Sequence, residues 1–285
     1  MEGGQVGPGQ LRQRQHSAQS GFRGGERPWA LSGRLDTPPS LPKIPANLTT
    51  PGFPPEESTI DNLARTIAEQ GLRIGAIKLN PEVPFQWASG YRMPVYNDNR
   101  MFLFHPDMRR SIARGLQEIV RDREIGPEVV AGTATAGIPH GALVADLLSL
   151  PFIYIRDKPK AHGLRNRIEG LDADSDLEGR RVVVIEDLIS TGGSSARAVE
   201  AVREANGLCV WCLSIFSYGL EKAAEEFSAL DPPCAFESLL TFPVLLDVAR
   251  EGGFLSPQQI ALLEDWREDP FGWGEKHGFP KVEKG

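Results

Sequence analysis

The sequence predicts an α/β fold in which a central, mainly parallel β-sheet is flanked by helices. Three observations carry that prediction. Four short runs, EVVA (128–131), PFIYI (151–155), RVVVI (181–185) and LCVWCLSIF (208–216), are rich in β-branched and aromatic residues. Helical stretches at 138–149 and 194–205 stand between them. The runs are apolar nearly throughout rather than alternating, as strands buried on both faces of a parallel sheet are. Strands and helices in alternation imply right-handed crossovers and a doubly wound arrangement.

Taken in order, the chain opens with a stretch unlike the rest. Residues 1–55 hold 9 glycines, 9 prolines and five glutamines, with six Lys/Arg against three Asp/Glu. Without apolar periodicity such a segment cannot bury enough surface to offset its ordering entropy, and it is expected to be a disordered extension. Regular structure begins at Ser58, where Ile60, Leu63, Ala64, Ile67 and Ala68 fall at helical spacing before Gly71. A second amphipathic helix is expected over 107–122, with Ile112, Leu116, Ile119 and Val120 on one face. The strand–helix alternation then runs to 216. Near the end, Ser256-Pro257 supplies an N-cap and a first-turn proline for a helix through Trp266.

Composition narrows the function classes. The 285 residues carry a net charge of −7, which disfavours a broad nucleic-acid footprint. No apolar run approaches the ~18–20 residues of a membrane helix, and no signal pattern opens the chain, so a cytoplasmic protein is expected. Three cysteines make a poor disulfide framework. Cys209 and Cys212 form a CxxC inside an apolar strand, where core packing is the expected role.

The sharpest chemical signal is VVVIEDLISTGGSS, 182–195. A buried strand delivers two adjacent carboxylates, Glu186 and Asp187, to a turn with Thr191, Gly192 and Gly193, after which a helix starts. Ligands of open α/β sheets bind at the carboxyl ends of strands, and free N–H groups at a helix start attract anions. Ser190, Thr191, Ser194 and Ser195 add hydroxyls. The GxxxxGK[ST] pattern is absent, so this is no P-loop. Paired acids repel a polyphosphate but accept hydrogen bonds from vicinal hydroxyls, which points to a ribose 5-phosphate unit. A second glycine-bounded junction, GTATAG (132–137), follows another strand, and a cationic, apolar-poor segment over 156–170 reads as a mobile, exposed loop, either a solvated charge run or a lid over a ligand.

The segment Glu186–Ser194 resembles the phosphoribosyl pyrophosphate (PRPP) motif of the type I phosphoribosyltransferases. Together with GAIKLNPEVPFQWASGYRMPVYNDNR (75–100), GTATAGIPH (132–140) and RDKPKAHGLRNRIEG (156–170), in the family's order, it resembles the orotate-using branch. The resemblance covers about 58–275 and divides the chain, after the extension, into a transferase domain over 56–285. Within it lie a hood at 75–105, a PRPP-binding core at 106–220 and the catalytic loop at 156–170.

That resemblance implies transfer of ribose 5-phosphate from PRPP to orotate in pyrimidine synthesis, with Mg²⁺ held mainly by substrate oxygens and water. It implies a homodimer in which each loop enters the partner's site. Lys160 and Asp187 would be catalytic. PRPP would meet Lys78, Arg156, Lys160, His162 and the run Glu186, Asp187, Leu188, Ile189, Ser190, Thr191, Gly192, Gly193 and Ser194. Orotate would meet Ser190, Tyr96 and Asn97. Lys158 is at most an auxiliary contact, and His140 needs no role beyond its helix start. Phe85 and Trp87 suit either a flat heterocycle or the core. Enteric members carry an arginine for the orotate carboxylate where this chain reads Ser214-Ile-Phe-Ser-Tyr218. Two other readings stay open: a transferase for another base, and a PRPP-sensing regulator that lost turnover.

Overall fold

A computed structural model describes residues 59–87, 89–157, 167–172 and 175–283. All belong to one compact unit, Phe53–Gly285. The expected extension over 1–55 lies outside the described residues, as do Lys158, Lys160 and His162 of the cationic loop.

The chain enters through α1 (Thr59–Ile74) and a small hood. In the hood β1 (Ile77–Leu79) pairs antiparallel with β4 (Val95–Asn97), and β2 (Phe85–Gln86) with β3 (Arg92–Met93). A 3₁₀ helix, Asn99–Phe104, leads into α2 (Pro106–Asp122), whose stripe from Ile112 to Val120 is buried as its spacing requires. Then come β5 (Val129–Thr133), α3 (Gly137–Leu148), β6 (Phe152–Ile155), β7 (Ile168–Glu169), β8 (Arg181–Ile189), α4 (Gly193–Glu204) and β9 (Leu208–Ser217). The remainder is α5 (Glu221–Ser228), β10 (Ala235–Thr241), α6 (Phe242–Glu251), α7 (Pro257–Glu268) and α8 (Trp273–Lys276).

Six strands form the main sheet in the order β10-β9-β8-β5-β6-β7, all parallel except the last pairing, where β7 runs against β6. Strand periodicity assigns its faces. Val183 and Ile185 of β8 join Val130, Leu213 and Ile215 in a core under α1, α2, α3, α6 and α7. Val182 and Val184 turn the other way, with Val129, Ala131 and Cys212, against α4 and α5. Burial on both faces is the physical content of the apolar runs. All three cysteines are buried free thiols, as packing residues should be. Ser256 caps α7 in a full capping box with Gln259.

Topology fixes where a ligand can sit. From β5 the chain winds outward through β6 and β7, then returns to β8 on the opposite side of β5 and winds outward through β9 and β10. β5 and β8 are therefore neighbours at the point where the winding reverses. In open α/β sheets the crevice at the carboxyl ends of such strands is the ligand site.

Candidate active site

Two helices begin at that crevice, α3 after β5 and α4 after β8. Their first turns present backbone N–H groups without intrahelical partners, and both aim at the same space. The close approach is set by glycines. A Cβ at Gly137 would fall 2.5 Å from the Ile185 carbonyl, so only glycine lets α3 rest on the end of β8. Gly192 has φ 82°, and a Cβ there would lie 3.0 Å from Cα of Ala223 in α5. Between the helix starts lies a cavity of about 450 Å³, walled by Ala134–Ala136 on one side and by Ser190, Thr191, Gly192 and Ser194 on the other.

The acids occupy its floor. Glu186 is buried, with Oε1 accepting from Thr133 Oγ1 (2.6 Å) and from the Asp187 N–H (3.0 Å), and Oε2 from Ser195 Oγ (3.3 Å). Ser195 thus turns inward to a carboxylate instead of adding a hydroxyl to the anion cradle, because it sits on the face of α4 that packs on the sheet. Burial, and then the neighbouring Asp187 charge, push the Glu186 carboxyl up to about 8. Burial raises Asp187 as well, against hydrogen bonds and the Arg100 charge. Two adjacent desolvated carboxyls resist ionising together, so the pair favours one retained proton. A ligand offering hydroxyl donors or positive charge relieves that conflict.

The hood rests directly on these acids. Asn99, buried at the start of the 3₁₀ helix, donates from Nδ2 to the Asp187 carbonyl at 2.7 Å. A second cavity, about 390 Å³, opens beside the first and is walled by Trp87, Tyr96, Tyr218 and Phe271. Tyr218 is fixed by rings on three sides: Trp87 (5.1 Å), Phe216 (4.9 Å) and Trp266 (5.8 Å) between centroids. Trp87 donates from Nε1 to the Val95 carbonyl at 2.9 Å, so it both belongs to the hood's packing and lines the cavity. The last segment of the chain braces the hood. Phe271 meets Tyr91 at 5.2 Å, Lys281 Nζ sits 4.3 Å over the same ring, and the Val282 N–H donates to the Gly90 carbonyl at 3.0 Å.

The two cavities share Asn97, Leu188, Ser190 and Thr191. Both amide atoms of Asn97 are buried there without a partner among the described residues. An acid-floored anion cradle is thus continuous with a flat aromatic slot.

The chain is similar to known proteins along most of its length. The phosphoribosyl transferase domain family model matches residues 99–230. An orotate phosphoribosyltransferase of Lactiplantibacillus plantarum is 44% identical over 215 residues, which is 75% of this chain and 99% of the relative. One from Staphylococcus saprophyticus is 46% identical over 73% of this chain and 99% of its own. The chain belongs to the orotate phosphoribosyltransferase family. Among solved structures, the Aeropyrum pernix orotate phosphoribosyltransferase superposes with a TM-score of 0.55 at 27% identity, covering 67% of this chain and 99% of that one.

Not every residue expected from the family pattern reaches the cavities. Glu186, Asp187, Leu188, Ser190, Thr191, Gly192 and Ser194 line the first, and Tyr96, Asn97 and Ser190 the second. Ile189 is buried in the core beneath, and Gly193 opens α4. Lys78 stands opposite Tyr96 in the hood and lines a separate groove with Phe85 and Phe254. Arg156, at the end of β6, is ion-paired with Glu169 at 3.1 Å. His140 starts α3 fully buried, with neither ring nitrogen partnered among the described residues, and burial lowers it to about 4. The sequence reading missed Thr133, Asp98, Asn99, Arg100 and Phe271. The first four lie inside quoted motifs but were given no role there, whereas Phe271 carries no local signal.

Proposed function

We propose that the joined cavities hold PRPP and orotate, and that the chain transfers ribose 5-phosphate to orotate, giving orotidine 5′-monophosphate and pyrophosphate for UMP synthesis. The observation that carries this reading is the seam at Asn97, Leu188, Ser190 and Thr191, which brings a sugar-phosphate cradle against a slot for a flat ring. In the reaction the bond from C1 of ribose to the pyrophosphate oxygen breaks, and its electron pair leaves with pyrophosphate. A ring nitrogen of the base forms the new C1–N bond.

The chain's own groups serve each part. Free amides at the start of α4, with Thr191 and Ser194, take the 5′-phosphate. Asp187, and Glu186 once ionised, accept from the ribose hydroxyls and offset the positive charge that grows on the ring. The first turn of α3 receives pyrophosphate. Lys78 and Arg156 bring positive charge from outside the cavity lining, and the family pattern adds Lys160 and His162, with Lys160 assisting the departing group. Among the described residues no group of three His, Cys, Asp or Glu could hold a metal by itself. The acids at 186 and 187 therefore suit Mg²⁺ as a companion of substrate oxygens and water, where it would neutralise pyrophosphate charge. Trp87, Tyr96, Tyr218 and Phe271 sandwich the base, and Ser190 and the unpartnered Asn97 amide are its polar contacts in place of the arginine that β9 lacks.

The working unit is a homodimer in the cytoplasm, with the loop bearing Lys160 entering the partner's cavity. No helix among the described residues is long and apolar enough to cross a membrane. Mixing the impaired Lys160→Ala and Asp187→Asn chains should restore activity through hybrid dimers, and mixtures no more active than their parts would overturn the shared loop. The whole reading is tested by following orotate absorbance with PRPP and Mg²⁺, with uracil and adenine in parallel. Orotate consumption that chelation stops is expected. Turnover of another base alone would refute the slot, and PRPP binding without any turnover would favour a regulator.

A further inference from the structure

Arg100 is the one cation among the described residues that line the acid-floored cavity. It is also held in place to an unusual degree for an exposed arginine. Asp98 accepts from Arg100 Nε at 2.6 Å and from Nη2 at 2.8 Å, and the same carboxylate caps the Arg100 backbone N–H at 3.2 Å. Asp98 is itself anchored, because its N–H donates to the Ala76 carbonyl at 2.8 Å. The next residue, Asn99, ties this turn to the Asp187 carbonyl at 2.7 Å. A guanidinium carries five N–H donors in a planar fork. Asp98 takes two, which leaves the Nη1 edge, with no hydrogen bond among the described residues, for a ligand.

We infer that Arg100, oriented by Asp98, binds the pyrophosphate group of PRPP from within its own subunit. This rests on the reading of the cavity given above. The 5′-phosphate already has the amides of α4, whereas Ala134–Ala136, on the pyrophosphate side, offer small side chains and no cation. Arg100 lines that cavity and is absent from the aromatic slot, so the orotate carboxylate is not its target. A planar fork with a free edge matches phosphate oxygens bidentately, which an ammonium cannot. Arg100 is thus a binding residue that needs no loop closure, and Asp98 is its positioning residue.

Calorimetric titration of Arg100→Ala, Arg100→Lys and Asp98→Asn with pyrophosphate and, separately, ribose 5-phosphate tests this, both in Mg²⁺ buffer. Arg100→Ala should weaken pyrophosphate about tenfold or more and leave ribose 5-phosphate within about twofold. Arg100→Lys should recover part of the loss, and Asp98→Asn should show the same selectivity at smaller size. In turnover, KM for PRPP should rise while KM for orotate stays. Equal weakening of both ligands, unchanged pyrophosphate affinity, or a rise confined to orotate KM would each overturn the role. The side chain is largely exposed, so melting temperatures should match the parent. A parent chain that takes up neither ligand would overturn the cavity's reading itself, before any variant is compared.

Discussion

The two cavities meet along four residues, yet they are built by opposite means. The acid-floored cavity comes mostly from two short stretches, 134–136 and 186–194, each running from the end of a central strand into a helix. Sheet topology alone brings them together. The aromatic slot draws on the hood, the end of β9 and Phe271, with the last segment of the chain braced against the hood. Under the proposed function the first region would hold the sugar phosphate and the second would choose the base. Substitutions in one should therefore leave the other's function nearly intact.

The largest effect should come from the cradle. Asp187→Asn removes the charge nearest the developing positive ring, and kcat should fall by about 10²–10³, in the range for loss of one preorganised electrostatic group. KM for orotate should stay within about threefold. A kcat within fivefold of the parent would mean that this carboxylate is not used in the transition state.

Next in size is an effect on stability rather than rate. Glu186 has its carboxyl raised from an ordinary 4.5 to about 8 by burial and by Asp187. A raised acid contributes stability that is fully present below 4.5 and lost as pH climbs through about 8, because over that range the unfolded chain ionises freely while burial makes the native state keep its proton. The ligand-free parent should weaken across that window by an amount of order a few kcal/mol, since a tenfold change in proton affinity is worth about 1.4 kcal/mol. Glu186→Gln cannot ionise. Urea unfolding at pH 5 and pH 9 should find the two chains alike at the lower pH and the variant more stable at the higher. Parallel pH profiles would show that Glu186 titrates normally.

Smaller again is the loss of a slot wall. Phe271→Ala should raise KM for orotate about 5–20-fold, corresponding to the ~1–2 kcal/mol of one aromatic contact, with KM for PRPP within twofold. The ring is 36% exposed, so the melting temperature should move little. A matched rise in both constants would break the division between the regions.

That same division explains what was legible in the sequence. Strand end, tight turn and helix start are consecutive in 182–195, so residue types there report their chemistry directly. The long strands and α2, α3 and α4 likewise declare themselves by local period. Elements beyond 216 were harder, for physical reasons. β10 is an edge strand with only Leu239 and Leu240 fully covered, so it lacks the continuous apolar run of β8. It passes into α6 at Thr241–Phe242 with no turn between, so two periods abut without punctuation. Asn99 and Phe271 were invisible because their partners are remote in sequence: the Asp187 carbonyl for one, Tyr91 for the other. Ser195 was misread because a helix-start hydroxyl looks the same whether it faces an anion or a buried carboxylate.

The smallest effect should fall on the seam, and it separates binding from folding most sharply. Asn97 keeps both amide atoms buried and without a partner among the described residues. A buried polar group without a partner costs free energy, and replacing it with an apolar group of like size is near neutral or favourable. Asn97→Leu should therefore leave stability unchanged or raise it by up to ~1 kcal/mol. If the amide is held for the base, orotate affinity should drop in the same variant, while PRPP affinity stays within twofold. Stability and affinity would then move in opposite directions on one substitution. A chain that loses stability instead would mean that Asn97 is satisfied in solution, by water or by its neighbours, and serves the hood's packing before it serves the ligand.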